Sequence, residues 1–496
     1  MLSPNSSDRR ITWAVLALLA FTLVYRVVAR ESLGVNLHYD EAQYFAWSLT
    51  PGFGYFSKPP MIAWTIGAAR AVCGESEACI RLPSALAFAV TGWLVYLIGR
   101  RIADVRSAWW SVLAFVLLPL VSFYAWFMTT DALLLMFWAA TFYSFIRALD
   151  ANEMRWWIAT GVLAGFGLLS KYTMGIFAIS ALGFLAFDAR ERRLMKTPGP
   201  WIGALVAALL FAPNVLWNST HAFATLQHTA DIAQAERDRP SLAALARFLA
   251  EQVGVLGPLT ALAFVLAAAT GFRAVPNANA PTSWTARRQW RLLAWFALPF
   301  LAIIGAQAFF ARALANWAAP TAVAASILAG MWLARPAHRW FARTAIALNV
   351  AVALTLYHHP LILNALGVDL PVQRDPLTQV RGWDAYGQCV RRLLDEQGAR
   401  LVAEDRRLMS ELIYYARAHD ALIWNPSGIV DNHYRLTRDV RNAPNGPFVF
   451  VAATDRRADL ERDFASVESL ALTPCTLLQR PLHAYRLGNF IQPTRQ

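Results

Sequence analysis

The chain has 496 residues, of which 57% are apolar and only 16% charged, too few charges to solvate a globular surface of this size. That composition excludes a soluble protein and defines a polytopic helical membrane protein. The formal charge of +13 calls for no nucleic acid as partner, because Lys and Arg collect in cytoplasmic loops that face anionic lipid.

Apolar runs long enough to cross a hydrocarbon core lie near 11–29, 82–99, 107–127, 132–149, 156–170, 172–187, 201–217, 253–271, 291–310, 316–334 and 341–357, about eleven in all. The first lacks a small-residue cleavage site after it and reads as a retained anchor. Arg9 and Arg10 precede it. Alternate connections then carry Arg100, Arg101 and Arg106, next Arg155, next Arg190, Arg192, Arg193 and Lys196, next Arg273, Arg287, Arg288 and Arg291, and last Arg335, Arg339 and Arg343. All fall on one side if the count is odd, which sets the C-terminal part on the outer face. The organisation expected is a transmembrane domain over 1–357 and a periplasmic α/β domain over 358–496, in a bacterial inner membrane.

All four cysteines fall on the expected outer side, where disulfides persist. Their positions suggest Cys73–Cys79 and Cys389–Cys475. Four free thiols are the alternative. After Pro360 and Pro371 the composition turns charged and mixed. Leu401–Ala403, Ala421–Trp424 and Pro447–Val451 read as buried strands, with helices over Arg406–Arg417 and Asp455–Phe464 between them. No phosphate loop, nucleophilic triad order or metal-ligand cluster is visible in this tail, which reads as structural or acceptor-docking.

In the membrane part, Asp40, Glu41, Lys58, Asp131, Lys171, His221, His228 and Arg312 map to outer ends of spans or outer loops. Charges at that depth are costly and face a cavity or one another. Snorkelling to headgroups accounts for a lone Lys or Arg. It does not suit Asp131, a short acid directly before Ala-Leu-Leu-Leu-Met-Phe-Trp, nor the adjacent acids Asp40 and Glu41. The first outer loop is densest: His38-Tyr39-Asp40-Glu41-Ala42-Gln43-Tyr44, then Gly52-Phe53-Gly54-Tyr55-Phe56-Ser57-Lys58-Pro59-Pro60. Gly52 and Gly54 permit a tight backbone and the prolines restrict Lys58, presenting one cation suited to a phosphate oxyanion. Asp40 is placed to take a proton from an acceptor hydroxyl.

These residues resemble the GT-C superfamily of membrane glycosyltransferases, in the bacterial ArnT and protein O-mannosyltransferase-like group. The resemblance rests on Asp40-Glu41 with the aromatic-x-Lys-Pro segment around Tyr55 and Lys58, on Thr130-Asp131-Ala132, on Ser170-Lys171-Tyr172-Thr173-Met174-Gly175, and on Ala311-Arg312 through Asn316-Trp317 to Pro320. It implies Asp40, Glu41 and Asp131 as catalytic residues and Lys58, Lys171, Arg312 and Tyr55 as donor-phosphate or lipid contacts. Tyr44, His221, His228 and Asn316 are candidate acceptor or loop contacts. Arg312 stands where relatives often place Lys, and a guanidinium fork still binds phosphate. The turn after Lys171 lacks the immediate Gly of the lipid A enzymes.

His221 and His228, seven apart, would share a face if helical. With no third ligand evident, hydrogen-bonded loop histidines are favoured over a metal site, and neither metal nor cofactor is expected. Gly161, Gly165 and Gly167 follow no strand, so they mark close helix packing and no nucleotide loop. Paired tryptophans such as Trp109-Trp110 read as an interfacial belt.

The function expected is inverting transfer of a sugar from a polyprenyl-phosphate donor, undecaprenyl phosphate, to an outer-face acceptor. Lipid A or another envelope glycolipid is the first choice and a protein hydroxyl the second. A transporter or flippase for a lipid-linked sugar is the alternative of another class. It would spread polar residues along a path through inverted repeats, whereas here they cluster on one side.

Overall fold

Hydrocarbon offers no water to the backbone, so the apolar runs must be helical, and each coincides with one or two helices in the computed structural model. The structure describes residues 6–31, 33–234, 240–271, 284–368, 371, 374–375, 377–471, 476–477 and 480–491. Among these, six helices are long and apolar enough to cross a membrane: Ser6–Glu31, Glu77–Ile102, Thr130–Ala151, Pro198–Thr220, Ala286–Phe310 and Pro336–Ala365. A seventh span forms if Leu242–Leu256 and Pro258–Thr270, bent by 106°, count as one. The uninterrupted run expected at 253–271 is therefore broken, because Gly257 adopts φ +78° and Pro258 opens the next helix. The run at 107–127 likewise divides into Val105–Val116 and Pro119–Tyr124, since Pro119 has no N–H to extend the first helix.

The chain divides into two compact units, one of Met1–Arg30, Lys58–Ile62 and Arg81–Ile362, the other of Glu31–Ser57, Ala63–Ile80 and Leu363–Gln496. In the first, the helix Met154–Ser170 packs on Pro198–Thr220 through glycines. A Cβ on Gly161 would overlap the Gly203 carbonyl, and one on Gly165 would lie 2.8 Å from Leu210 Cβ. Trp138 packs edge-on against Phe177 and Phe300, and Phe142 stacks on Phe296 at 4.1 Å.

One end of this unit holds a buried ionic network. Arg288 Nε donates to Glu191 Oε1 at 2.8 Å and its Nη1 lies 3.7 Å from Asp150 Oδ1, while Arg101 Nε donates to Asp150 Oδ2 at 2.7 Å. Gln289 Nε2 donates to the Ile102 carbonyl at 2.6 Å. Arginines from two of the basic loops thus meet around shared acids.

In the second unit, β1 (Arg400–Ala403), β2 (Leu422–Ile423), β3 (Phe448–Ala452) and β4 (Val467–Leu470) precede the small hairpin of β5 (Thr476–Leu477) and β6 (Arg480–Pro481), and β7 (His483–Leu487) follows. Five of them form one sheet in the order β2-β1-β3-β7-β4, parallel across β2, β1 and β3 and antiparallel across β7. Val402, Phe448, Phe450, Leu460, Phe464 and Leu487 lie in its core. The expected strands and both helices of the tail are present, and β4 and β7 add to them. A disulfide joins Cys73 to Cys79. The second expected pair involves Cys475, outside the described residues.

Gly161→Val should force the two glycine-packed helices apart, costing about 1–3 kcal/mol as an overpacking change. Thermal unfolding of the detergent-solubilised protein checks this, and Gly175→Ala, at a position with open space around it, should change little.

Candidate functional site

Asp131 sits in the first turn of the helix Thr130–Ala151, where the dipole favours an acid. It is 5% exposed and its charge is met from two distant segments. Lys171 Nζ donates to Oδ1 at 2.7 Å and Asn316 Nδ2 to Oδ2 at 2.9 Å. Lys171 is placed by the end of the helix Met154–Ser170, whose next residue turns to extended backbone. Tyr172 anchors that turn. Its hydroxyl donates to Asn214 Oδ1 at 2.8 Å and accepts from Asn218 Nδ2 at 3.1 Å. Asn316 stands in the short turn Ala315–Ala318, where the Ala315 carbonyl accepts from Gln252 Nε2 at 3.0 Å. Three residues singled out from the sequence are thus brought together in the first unit. Arg312, four residues before Asn316, is exposed, and Lys58 is partly buried before the buried Pro59 and Pro60.

In the second unit, Asp40 and Glu41 open the helix Tyr39–Ser48. Glu41 is 1% exposed and closes a capping box: Glu41 Oε2 accepts from His38 N at 2.9 Å, and His38 Nδ1 accepts from Asp40 N at 3.3 Å. Asp40 is half-exposed and faces Arg406, whose Nη1 lies 3.4 Å from Asp40 Oδ1 and donates to Gln43 Oε1 at 2.8 Å. The Arg406 guanidinium lies 5.0 Å from the Tyr39 ring centre, and that of Arg407 lies 5.5 Å from the same ring and 5.9 Å from Trp383. Sequence reasoning placed these arginines on a helix and gave them no role. The available signal was two cations in a helix's first turn, where the dipole opposes them.

Tyr55 is 1% exposed and stacks on Trp47 at 4.6 Å. Its hydroxyl accepts from Gly52 N at 3.1 Å and lies 3.1 Å from the Trp47 carbonyl, to which it donates. Burial pushes its phenol up to about 12. Its hydrogen bonds close the loop's own turn. Tyr44, 6% exposed, packs on Trp47 at 5.2 Å. His221 ends the helix Pro198–Thr220, stacked on Trp217, with Nδ1 2.8 Å from the Trp217 carbonyl. His228 lies on the next helix, Ala224–Gln234. The shared helical face does not form, because Ala222 and Phe223 both take positive φ and break the helix between them.

Residues 57–217 match the dolichyl-phosphate-mannose-protein mannosyltransferase family. The chain is 28% identical over 447 residues to the lipid A galacturonosyltransferase RgtD of Rhizobium johnstonii, covering 85% of this chain and 86% of that one. It is 29% identical over 283 residues to the lipopolysaccharide core galacturonosyltransferase RgtA of the same organism, 56% of each chain. Among solved structures, ArnT from Cupriavidus metallidurans bound to undecaprenyl phosphate superposes with a TM-score of 0.64 at 17% identity, covering 95% of this chain and 98% of that one. Fold and sequence likeness together define a polytopic membrane glycosyltransferase. These likenesses are to membrane glycosyltransferases of the GT-C type.

Burial holds the His38 imidazole below its ordinary value of 6.5, aided by Arg407 and Arg406 and opposed by Asp40 and Glu41. A depressed histidine takes up its proton more readily unfolded than folded, so its contribution is complete above about 6.5 and is lost as pH falls through the lower folded value. The thermal midpoint should drop on acidification from pH 7.5 to 5.5, and His38→Asn, which keeps a capping acceptor, should flatten that slope. For the first cluster, a double-mutant cycle of Asp131→Ala and Lys171→Ala should show coupling of about 0.5–3 kcal/mol in unfolding free energy.

Proposed function

We propose that this enzyme transfers a sugar from a polyprenyl-phosphate donor, with undecaprenyl phosphate as carrier, to lipid A on the outer face of the bacterial inner membrane. The observation that carries the reading is the likeness to a lipid A galacturonosyltransferase over 85% of the chain, in a protein where Lys171 and Asn316 both bind Asp131. The sugar is a hexuronate by the same likeness. Eleven crossings, with the C-terminal α/β region periplasmic, belong to this reading, and the one-sided basic loops support them. The family matched over 57–217 acts on protein, so a protein hydroxyl is the second acceptor to test.

The reaction is a single inverting displacement. The acceptor oxygen forms its bond to the anomeric carbon as the bond to the carrier phosphate breaks, and the phosphate leaves with the electron pair. For a hydroxyl acceptor, Asp40 takes the proton. For an ionised phosphate acceptor no proton moves, and Asp40 orients the nucleophile. Lys58, Lys171 and Arg312 bind the donor phosphate and neutralise the charge that grows on it. Asp131 aims Lys171, Asn316 fixes Asp131, and Glu41 acts through the capping box that places Asp40. Tyr55 and Tyr44 hold the loop ahead of Lys58, and His221 and His228 remain candidate loop contacts to the acceptor.

Purified protein given radiolabelled polyprenyl-phosphate hexuronate and lipid A should move label to lipid A. Asp40→Asn should abolish turnover with donor binding near normal, and retention of most activity would remove Asp40 from the mechanism. Lys58→Ala should weaken donor binding by about 1.5–3 kcal/mol, as expected for a lost charged hydrogen bond. An unchanged donor affinity would reject that role.

A further inference from the structure

Arg406 and Arg407 are successive residues in the first turn of the helix Arg406–Tyr415, and their environments differ. Arg406 is engaged by Asp40 and Gln43. Arg407 lies near the rings of Tyr39 and Trp383. No carboxylate pairs with it among the described residues, and its Nε is buried without a hydrogen-bond acceptor there. Its two aromatic walls are themselves fixed. Trp383 donates through its backbone N–H to Asn36 Oδ1 at 2.9 Å and through Nε1 to the Gln379 carbonyl at 3.0 Å, and Tyr39 begins the helix capped by His38. A half-buried guanidinium placed against the helix dipole, with an unmet donor, is unfavourable for stability alone.

We infer that Arg407 is a specificity-determining residue that binds the carboxylate of the transferred uronic acid. The inference rests on the transferase reading above. A guanidinium presents a planar fork that a carboxylate matches with two parallel hydrogen bonds, and the rings of Tyr39 and Trp383 flank that of Arg407. A phosphate monoester carries about −1.5 to −2 charge near neutrality and suits several converging cations better than one. In a hexuronate the carboxylate-bearing carbon and the anomeric carbon flank the same ring oxygen. Arg406 and Arg407 lie over the same Tyr39 ring, and Arg406 contacts Asp40. An acid group held on Arg407 therefore brings the reacting carbon within one sugar ring of the Asp40 side.

The test is binding of two donors that share one polyprenyl phosphate, one bearing galacturonate and one bearing galactose, to the full-length protein without acceptor. Wild type should prefer the uronate donor. Arg407→Gln should lose about ten- to a hundredfold in affinity for that donor with the galactose donor unchanged, and Arg407→Lys should restore part of the preference. Equal losses for both donors, or no preference in wild type, would overturn the inference. So would a variant that binds both donors as wild type does but has a raised KM for phosphorylated lipid A and a normal one for the dephosphorylated lipid, which would assign Arg407 to the acceptor. An Arg407-dependent preference in a protein that transfers nothing to lipid A would instead reject the proposed acceptor and leave this inference standing. Unfolding midpoints of both variants control for misfolding.

Discussion

A carboxylate buried at the end of an apolar helix has little water around it, so the protein must supply the partners of Asp131. Lys171 and Asn316 do so, one to each oxygen. The requirement reaches outward from that contact. Lys171 is in position only because the helix Met154–Ser170 stops before it and Tyr172 is held by Asn214 and Asn218. Asn316 is in position only because the chain makes a short turn that Gln252 secures. Four segments of the first unit are thereby arranged around a single negative charge.

The second unit uses different means. Asp40 is oriented by local helix chemistry, through the reciprocal bonds of His38 and Glu41, and by a guanidinium from a helix more than three hundred and fifty residues further along the chain. Tyr55 spends its hydroxyl on the Gly52 amide of its own loop and on the Trp47 carbonyl near the end of the preceding helix. The acid pair that stands out in the sequence therefore divides into a buried member and a half-exposed one.

The membrane helices were legible because apolar length is a direct physical requirement of crossing hydrocarbon. Their interruptions were less so. Pro119 and Pro258 were visible, but whether a proline bends a span or ends it depends on its neighbours. Asp131, Lys171 and Asn316 were each legible as residues that hydropathy does not account for or that a family motif contains. Their meeting was not, because separations of 40 and 185 residues leave no periodicity to read. The strand β4 was missed because it is largely exposed and carries little apolar alternation. Arg406 and Arg407 read only as the start of a tail helix, and only the tertiary arrangement sets them against Tyr39.

The helix Thr130–Ala151 carries Asp131 at one end and Asp150 near the other, about 28 Å apart at 1.5 Å per residue. Lys171 and Asn316 hold the first acid, and Arg101 holds the second with Arg288 close by. A rod fastened at both ends cannot slide by a turn or roll about its axis without breaking ionic contacts at two places at once. Such a part is poorly suited to a machine that alternately opens to either side of a bilayer. It is well suited to a fixed anvil, against which two mobile lipid substrates arrive, react and diffuse away in the plane of the membrane.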